Sequence, residues 1–208
     1  MFEVLPSAPV LLAFLAAALV LAITPGPGVV YIVARTLTQG RGAGLASVAG
    51  VALGNFGNAT AASLGLAALL AASTTAFAVV KYAGAAYLCY LGVRALRSPP
   101  AVQDAPPMPA DRCRVWREGL VVALLNPKTT LFFAAFLPQF MQPAASAVGQ
   151  AVVLSTLFVG IAAVSDACYV LLAGAIAPML RGRAAAARRG RYVAAAVYFS
   201  LGLYAARP

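Results

Sequence analysis

Long apolar runs, each near the length of a bilayer crossing, decide which solvent this chain can fold in. They lie at about residues 8–37, 43–70, 76–96, 118–140, 147–179 and 192–206, and a helix needs roughly 20 apolar residues to cross the hydrocarbon. Only 10% of the 208 residues are charged and 62% are hydrophobic, with a mean hydropathy of +0.89. Soluble domains carry roughly 25% charged residues, so too little polar surface exists here to coat a water-facing globule. The predicted fold class is an all-α polytopic membrane protein of six transmembrane helices. It forms a single transmembrane domain over residues 1–208 and leaves no room for a separate soluble one. Residues 10–23 are preceded by Glu3 and by no Lys or Arg. A signal peptide needs a positive leading region, so this stretch reads as a retained first span.

Basic residues set the orientation. Arg35 and Arg41 flank the first loop. Arg94, Arg97, Arg112, Arg114 and Arg117 flank the third, and Arg181, Arg183, Arg188, Arg189 and Arg191 crowd the fifth, together twelve of the fifteen basic side chains. The second and fourth loops, around residues 71–75 and 141–146, hold none. Cytoplasmic loops are the ones enriched in Lys and Arg, so the odd loops face the cytoplasm and both termini face outward. Pro99, Pro100, Pro106, Pro107 and Pro109 mark residues 98–117 as a cytoplasmic linker. It divides the chain into halves at about 8–97 and 118–206. With three spans in each, the halves enter the membrane in opposite directions, which is the arithmetic of an inverted repeat.

Two prolines interrupt these runs at matching places. One break is Thr24-Pro25-Gly26-Pro27-Gly28, the other Asn126-Pro127-Lys128. Thr and Asn are good N-caps, and Pro suits the first helical position. Thr24-Pro25 and Asn126-Pro127 therefore both read as helix starts inside broken first and fourth helices. A helix start carries unpaired N–H groups and the positive end of the dipole. Within hydrocarbon such groups need partners or a wet cavity, and a carboxylate suits them. Thr24, Pro25, Gly26, Pro27, Asn126, Pro127 and Lys128 are candidate substrate-binding residues on this ground.

Lys128 and Asp166 are the ionisable residues deepest in the spans, where a charge costs roughly 2.5–3.5 kcal/mol on the insertion scale. Three roles stay open for them. Lys128 can hold a substrate carboxylate while Asp166 meets an ammonium or carries a proton. The two can pair with each other, or Lys128 can snorkel to an interface. Asn55 and Asn58, three apart on one helix face, either line the same cavity or bond between helices. Gly40, Gly44, Gly50, Gly54 and Gly57 include two GxxxG spacings. These permit close helix contact, within the monomer or in a homodimer.

Other chemistries fit poorly. The +10 formal charge is spent at loop positions and leaves no basic, aromatic surface for nucleic acid. Cys89, Cys113 and Cys168 are dispersed and no His is present, which argues against a zinc site or a disulfide framework and against a membrane thiol-redox carrier. Five acidic residues make a poor cage for a divalent-metal exporter. No nucleotide-binding loop calls for ATP, and no cofactor is expected.

The same residues carry a family resemblance along nearly the whole chain. They are Thr24-Pro25-Gly26-Pro27, Gly40 and Gly44, Gly50 and Gly54, Gly65-Leu66, and the run from Lys81 to Gly92. The second half adds Asn126-Pro127-Lys128, Phe132-Phe133, Leu137-Pro138-Gln139-Phe140, and Asp166 three residues before Tyr169. In this ordered set the chain resembles the LysE/RhtB family of amino-acid exporters. The resemblance implies a transporter rather than an enzyme, set in a bacterial cytoplasmic membrane. It further implies export of amino acids or similar small zwitterions, driven by the proton gradient.

Overall fold

The computed structural model describes residues 6–63, 73–97, 111–142 and 146–180, with 192, 195–196, 198–200 and 202–203 near the C-terminus. Among the described residues every regular element is helical. Helix α1 spans Ala8–Ile23, α2 Pro27–Gln39, α3 Arg41–Ser63 and α4 Thr74–Arg97. Helix α5 spans Arg112–Leu124, α6 Pro127–Leu131 and α7 Ala147–Leu180. The proline-rich stretch 98–110, the arginines at 181–191 and the end of the last expected span lie outside the described residues.

Both expected breaks exist. Helices α1 and α2 meet at 47° across a three-residue link. Gly40, at φ +86°, ends α2; this left-handed conformation suits a residue without a Cβ. The run expected to start at residue 118 begins earlier, at Arg112, because the Asp111 side chain accepts from Arg114 N at 3.1 Å and caps the helix. Past α6 the chain widens into a π-helical turn at Phe132–Phe136, then tightens into a 3-10 turn at Leu137–Phe140. Pro138 lies in that second turn, where its missing N–H forbids a regular α-helix.

By length and composition, the stretch Val148–Pro178 of α7 can cross a bilayer alone, and α1 with α2 forms a second such stretch if the bent pair counts as one. Helix α7 is inside out by the standards of water-soluble proteins. Val164 is 67% exposed and Leu172 62%, whereas Asp166 is 6% exposed. A helix that turns aliphatic side chains outward and its charge inward is solvated by lipid.

Helix α3 lies at the centre, packed on α2, α5 and α7. Its glycines make that possible within one chain. A Cβ at Gly50 would fall on the Trp116 carbonyl of α5, and one at Gly54 would come within 2.7 Å of Leu120 O. Gly119 returns the contact: a Cβ there would come within 2.9 Å of Ser47 O. Gly44 faces Thr36 and Val170. The Gly50–Gly54 spacing thus serves a contact inside the monomer, whereas Gly40 ends α2 with nothing within 4 Å of its Cβ position. A buried aromatic layer of Phe14, Phe132, Phe133 and Phe158 fills the bundle on one side of the breaks.

Candidate functional site

A proline in a helix deprives the carbonyl four residues earlier of its donor, so each break should leave carbonyls that need partners. At the first break, Pro25 orphans Leu21 O and Pro27 orphans Ile23 O. Lys128 Nζ donates to Leu21 O at 2.9 Å and to Thr24 O at 2.5 Å. Tyr169 Oη donates to Ile23 O at 2.9 Å, and Ser165 Oγ to Ala22 O at 3.3 Å. The electronegative end of α1 is thus closed by a lysine from the second break and two hydroxyls of α7. At the second break Pro127 deprives Ala123 O, which instead accepts from Asn126 N at 3.1 Å and from Asn58 Nδ2 at 2.8 Å.

The register of the first break differs from the sequence expectation. Thr24 does not cap a helix start; it ends α1, its N–H and its Oγ1 (2.6 Å) both bonded to Val20 O. Pro25 sits in the link, Gly26 is the N-cap and Pro27 takes the first helical position. The reason is conformational: Gly26 is extended at φ −145° and ψ −173°, which leaves Pro27, not Pro25, with helical geometry. The second break keeps its expected register, with Asn126 Oδ1 accepting from Lys128 N at 3.1 Å. Pro27 therefore corresponds to Pro127, and Gly26 to Asn126.

These parts surround one cavity of about 50 Å³, room for a few water molecules. Thr24, Gly26, Gly28, Val29, Asn55, Asn126, Lys128, Thr129 and Asp166 contribute to its wall, closed by Val51, Phe158 and Ala162. Pro25, Pro27, Pro127 and Asn58 shape the breaks without lining it. Among the described residues Asp166 is the one acidic side chain in the wall. It makes no ion pair with Lys128 within 4 Å; among the described residues such pairs centre on Glu118. Lys128 faces carbonyls rather than snorkelling. At the start of α2 the N–H groups of Gly28 and Val29 have no intrahelical acceptor, and Gly26 has no side chain to cap them. The wall thus offers a carboxylate beside free N–H donors, a pairing suited to an ammonium with a neighbouring oxygen acceptor. Neither Cys89, Cys113 nor Cys168 lies in it.

Asn58 is a mender of the break. Its replacement by Ala should cost about 1 kcal/mol, the usual net worth of a hydrogen bond. The thermal midpoint in detergent should fall while transport per folded molecule is kept; lost transport at unchanged stability would return Asn58 to the cavity.

Three features escape sequence reasoning. Thr129 Oγ1 is buried without a partner. Ser165 and Tyr169 bracket Asp166, and their spacing of four on a helix is the signal that places both on one face. The third is Glu118, which accepts from Arg35, Arg94, Arg114 and Tyr31. Its spacing of four from Arg114 is visible in the sequence, but the arginines read there only as loop markers.

The homoserine/homoserine lactone efflux protein of Salmonella typhimurium is 30% identical over 171 residues, 82% of this chain and 83% of its own length. An uncharacterised membrane protein of Vibrio cholerae matches to the same extent. One from Pseudomonas aeruginosa is 38% identical over 126 residues, 57% of this chain and 58% of its own. No solved structure matches significantly. The description LysE type translocator fits residues 19–207, and the chain accordingly belongs to the LysE type translocator family: it is a membrane transporter and not an enzyme.

Proposed function

We propose that this chain exports small amino acids and their close derivatives across a bacterial inner membrane by proton antiport. The carrying observation is the cavity between the two breaks, with Asp166 in its wall beside the free N–H groups of Gly28 and Val29. Six spans in two inverted halves, 8–97 and 118–206, joined by the linker at 98–117, form one transporter domain. The basic loops lie on the cytoplasmic side. Pairs of broken helices at a repeat interface are a recurring way to build a substrate site at mid-membrane.

The chemistry of the Salmonella relative's substrates sharpens the reading. Homoserine and its lactone share an ammonium, but the lactone has closed its carboxylate into a neutral ester. A carrier that accepts both must hold the ammonium and need only an oxygen acceptor beside it. In our reading Asp166 meets the ammonium, and the N–H groups of Gly28 and Val29 meet either kind of oxygen. Lys128 keeps the end of α1 in place, and Thr24, Asn55, Asn126 and Thr129 supply further polar contacts. Asp166 is also the group that can take up a proton once substrate has left.

The test is efflux from loaded cells that carry or lack the chain, with competition on the purified protein. Homoserine and its lactone should leave several-fold faster from carrying cells and should compete with each other. 4-Hydroxybutyrate, a hydroxy acid of similar length without the ammonium, should compete at least tenfold more weakly, given roughly 1.5–3 kcal/mol for a hydrogen bond to a charged group. Equal competition by the hydroxy acid would remove ammonium recognition. Unchanged efflux of every amino compound tried would remove the exporter reading itself.

A further inference from the structure

A carrier must close its site from one side of the membrane while it opens to the other, so the layers that flank the cavity bear on how it works. On one side lies the layer of Phe14, Phe132, Phe133 and Phe158. On the other, Arg35 is eight residues beyond Pro27 along α2, and Glu118 is eight residues before Asn126 along α5. Both are about 12 Å from their breaks at 1.5 Å per residue. We propose that Glu118, bound to Arg35 and Arg94 and roofed by Tyr31, is the closure of the transport path on the cytoplasmic side. The proposal rests on reading the cavity as the transport site and the basic end as cytoplasmic.

Tyr31 is fully buried between cavity and cluster, packed with Leu88, Leu91, Val115, Val122 and Tyr198. Its hydroxyl donates to Val115 O at 2.9 Å and to Glu118 Oε2 at 3.1 Å. The Arg35 guanidinium stands 5.2 Å from the Tyr31 ring centre, within cation–π reach. Arg35 and Glu118 are 14% and 10% exposed at the side chain, Arg94 27%. Arg114 also touches Glu118 at 3.1 Å, but it is 56% exposed and lies four residues away on the same helix. It steadies the carboxylate without joining helices. The joining pairs are those of Arg35 on α2 and Arg94 on α4 with Glu118 on α5. They tie the first half of the chain to the second, across the boundary that must move if one half rocks against the other.

A polar seal suits this place. Separated ion-pair partners at the water-facing end regain hydration, whereas a parted apolar plug exposes hydrocarbon to water. The present arrangement also leaves hydrogen-bond capacity unused. Arg35 Nε and Gln39 Oε1, one turn apart on α2, are buried without partners. A structural staple selected only for rigidity would satisfy them; a cluster that exchanges between two arrangements need not do so in both.

The experiment reads accessibility in the absence of any amino acid. It uses the chain with Cys89→Ala, Cys113→Ser and Cys168→Ser, and Val29→Cys as a reporter in the cavity wall. A membrane-impermeant thiol reagent is applied to sealed vesicles of each orientation. Glu118→Gln should raise labelling from the cytoplasmic face about tenfold, by shifting the open population. Tyr31→Phe and Arg94→Gln should raise it less and in the same direction. If Glu118→Gln does not accumulate in the membrane, the two milder variants carry the test. Unchanged labelling in the inserted variants overturns the proposal, and so does an equal rise from both faces, which would mean general loosening. A cytoplasmic-face rise in a protein that exports no amino acid would leave the closure standing and remove only the substrate assignment.

Discussion

Asp166→Asn should abolish export while the protein still inserts and folds. The substitution keeps the shape and removes the charge from the one acid in the cavity wall. If Asp166 holds the substrate ammonium, the loss is that of a charge-assisted hydrogen bond, roughly 1.5–3 kcal/mol. That is about ten- to a hundredfold in affinity at 1.4 kcal/mol per decade. If it also carries the proton, turnover stops altogether, because an amide does not titrate. Binding of homoserine and of its lactone to the purified variant measures the first effect, and export against a pH gradient measures the second. Weakened binding with residual export that keeps its pH dependence would assign Asp166 to substrate alone. Wild-type binding and wild-type pH dependence would take it out of the mechanism. Folding is checked by the thermal midpoint, which should not fall, since among the described residues no hydrogen bond to Asp166 fixes the helices around it.

Gly50→Ala should be the most destabilising small change in the molecule. An added Cβ would lie on the Trp116 carbonyl and within 2.9 Å of Trp116 C, so the backbones of α3 and α5 must part. Both neighbours are main-chain atoms, and no side chain can swing away to relieve them. Overpacking of a core costs typically 1–3 kcal/mol, and a backbone clash belongs at the upper end. Parting the helices would also disturb the close approaches at Gly54 and Gly119 and the bond from Asn58 to Ala123. The gain of about 1 kcal/mol in helix propensity from Gly to Ala offsets only part of this. Gly160→Ala is the control, since nothing stands within 4 Å of its Cβ position; there the propensity gain should show undiminished. The fraction of monodisperse protein in detergent and its thermal midpoint measure both. A Gly50→Ala protein as stable as the wild type would mean that α3 and α5 do not approach at backbone contact.

Some features were readable from the sequence because few physical explanations exist for them. A proline or a lone acid inside an apolar run needs a special reason to be there, and both breaks and Asp166 stand out on that ground. The extent of α7 was readable too, with 147–179 expected and Ala147–Leu180 found, because an uninterrupted apolar run has only one periodic interpretation. The register of the first break was not. Pro25 and Pro27 both satisfy the preference for a first helical position, and only the extended backbone at Gly26 decides between them. Nor was the partner of Lys128 readable. Donors and acceptors more than a hundred residues apart leave no local pattern, and the lysine meets main-chain carbonyls, which every residue offers. The Glu118 cluster was hidden for a different reason. An arginine near a loop already has an explanation in topology, which masks any pairing it makes across the bundle.

The mending of α1 bears on how the protein is made. Its terminal carbonyls receive their donors from Lys128, Ser165 and Tyr169, residues 104 to 146 positions further along the chain. When the first span leaves the ribosome, none of those groups has been synthesised. Unpaired carbonyls in hydrocarbon are costly, so the nascent span must stay beside water or inside the insertion machinery until α6 and α7 arrive. Expressed alone, the N-terminal half would remain an unfinished intermediate, exposed to quality-control proteases. Supplied in the same membrane as a separate polypeptide, the C-terminal half would complete it.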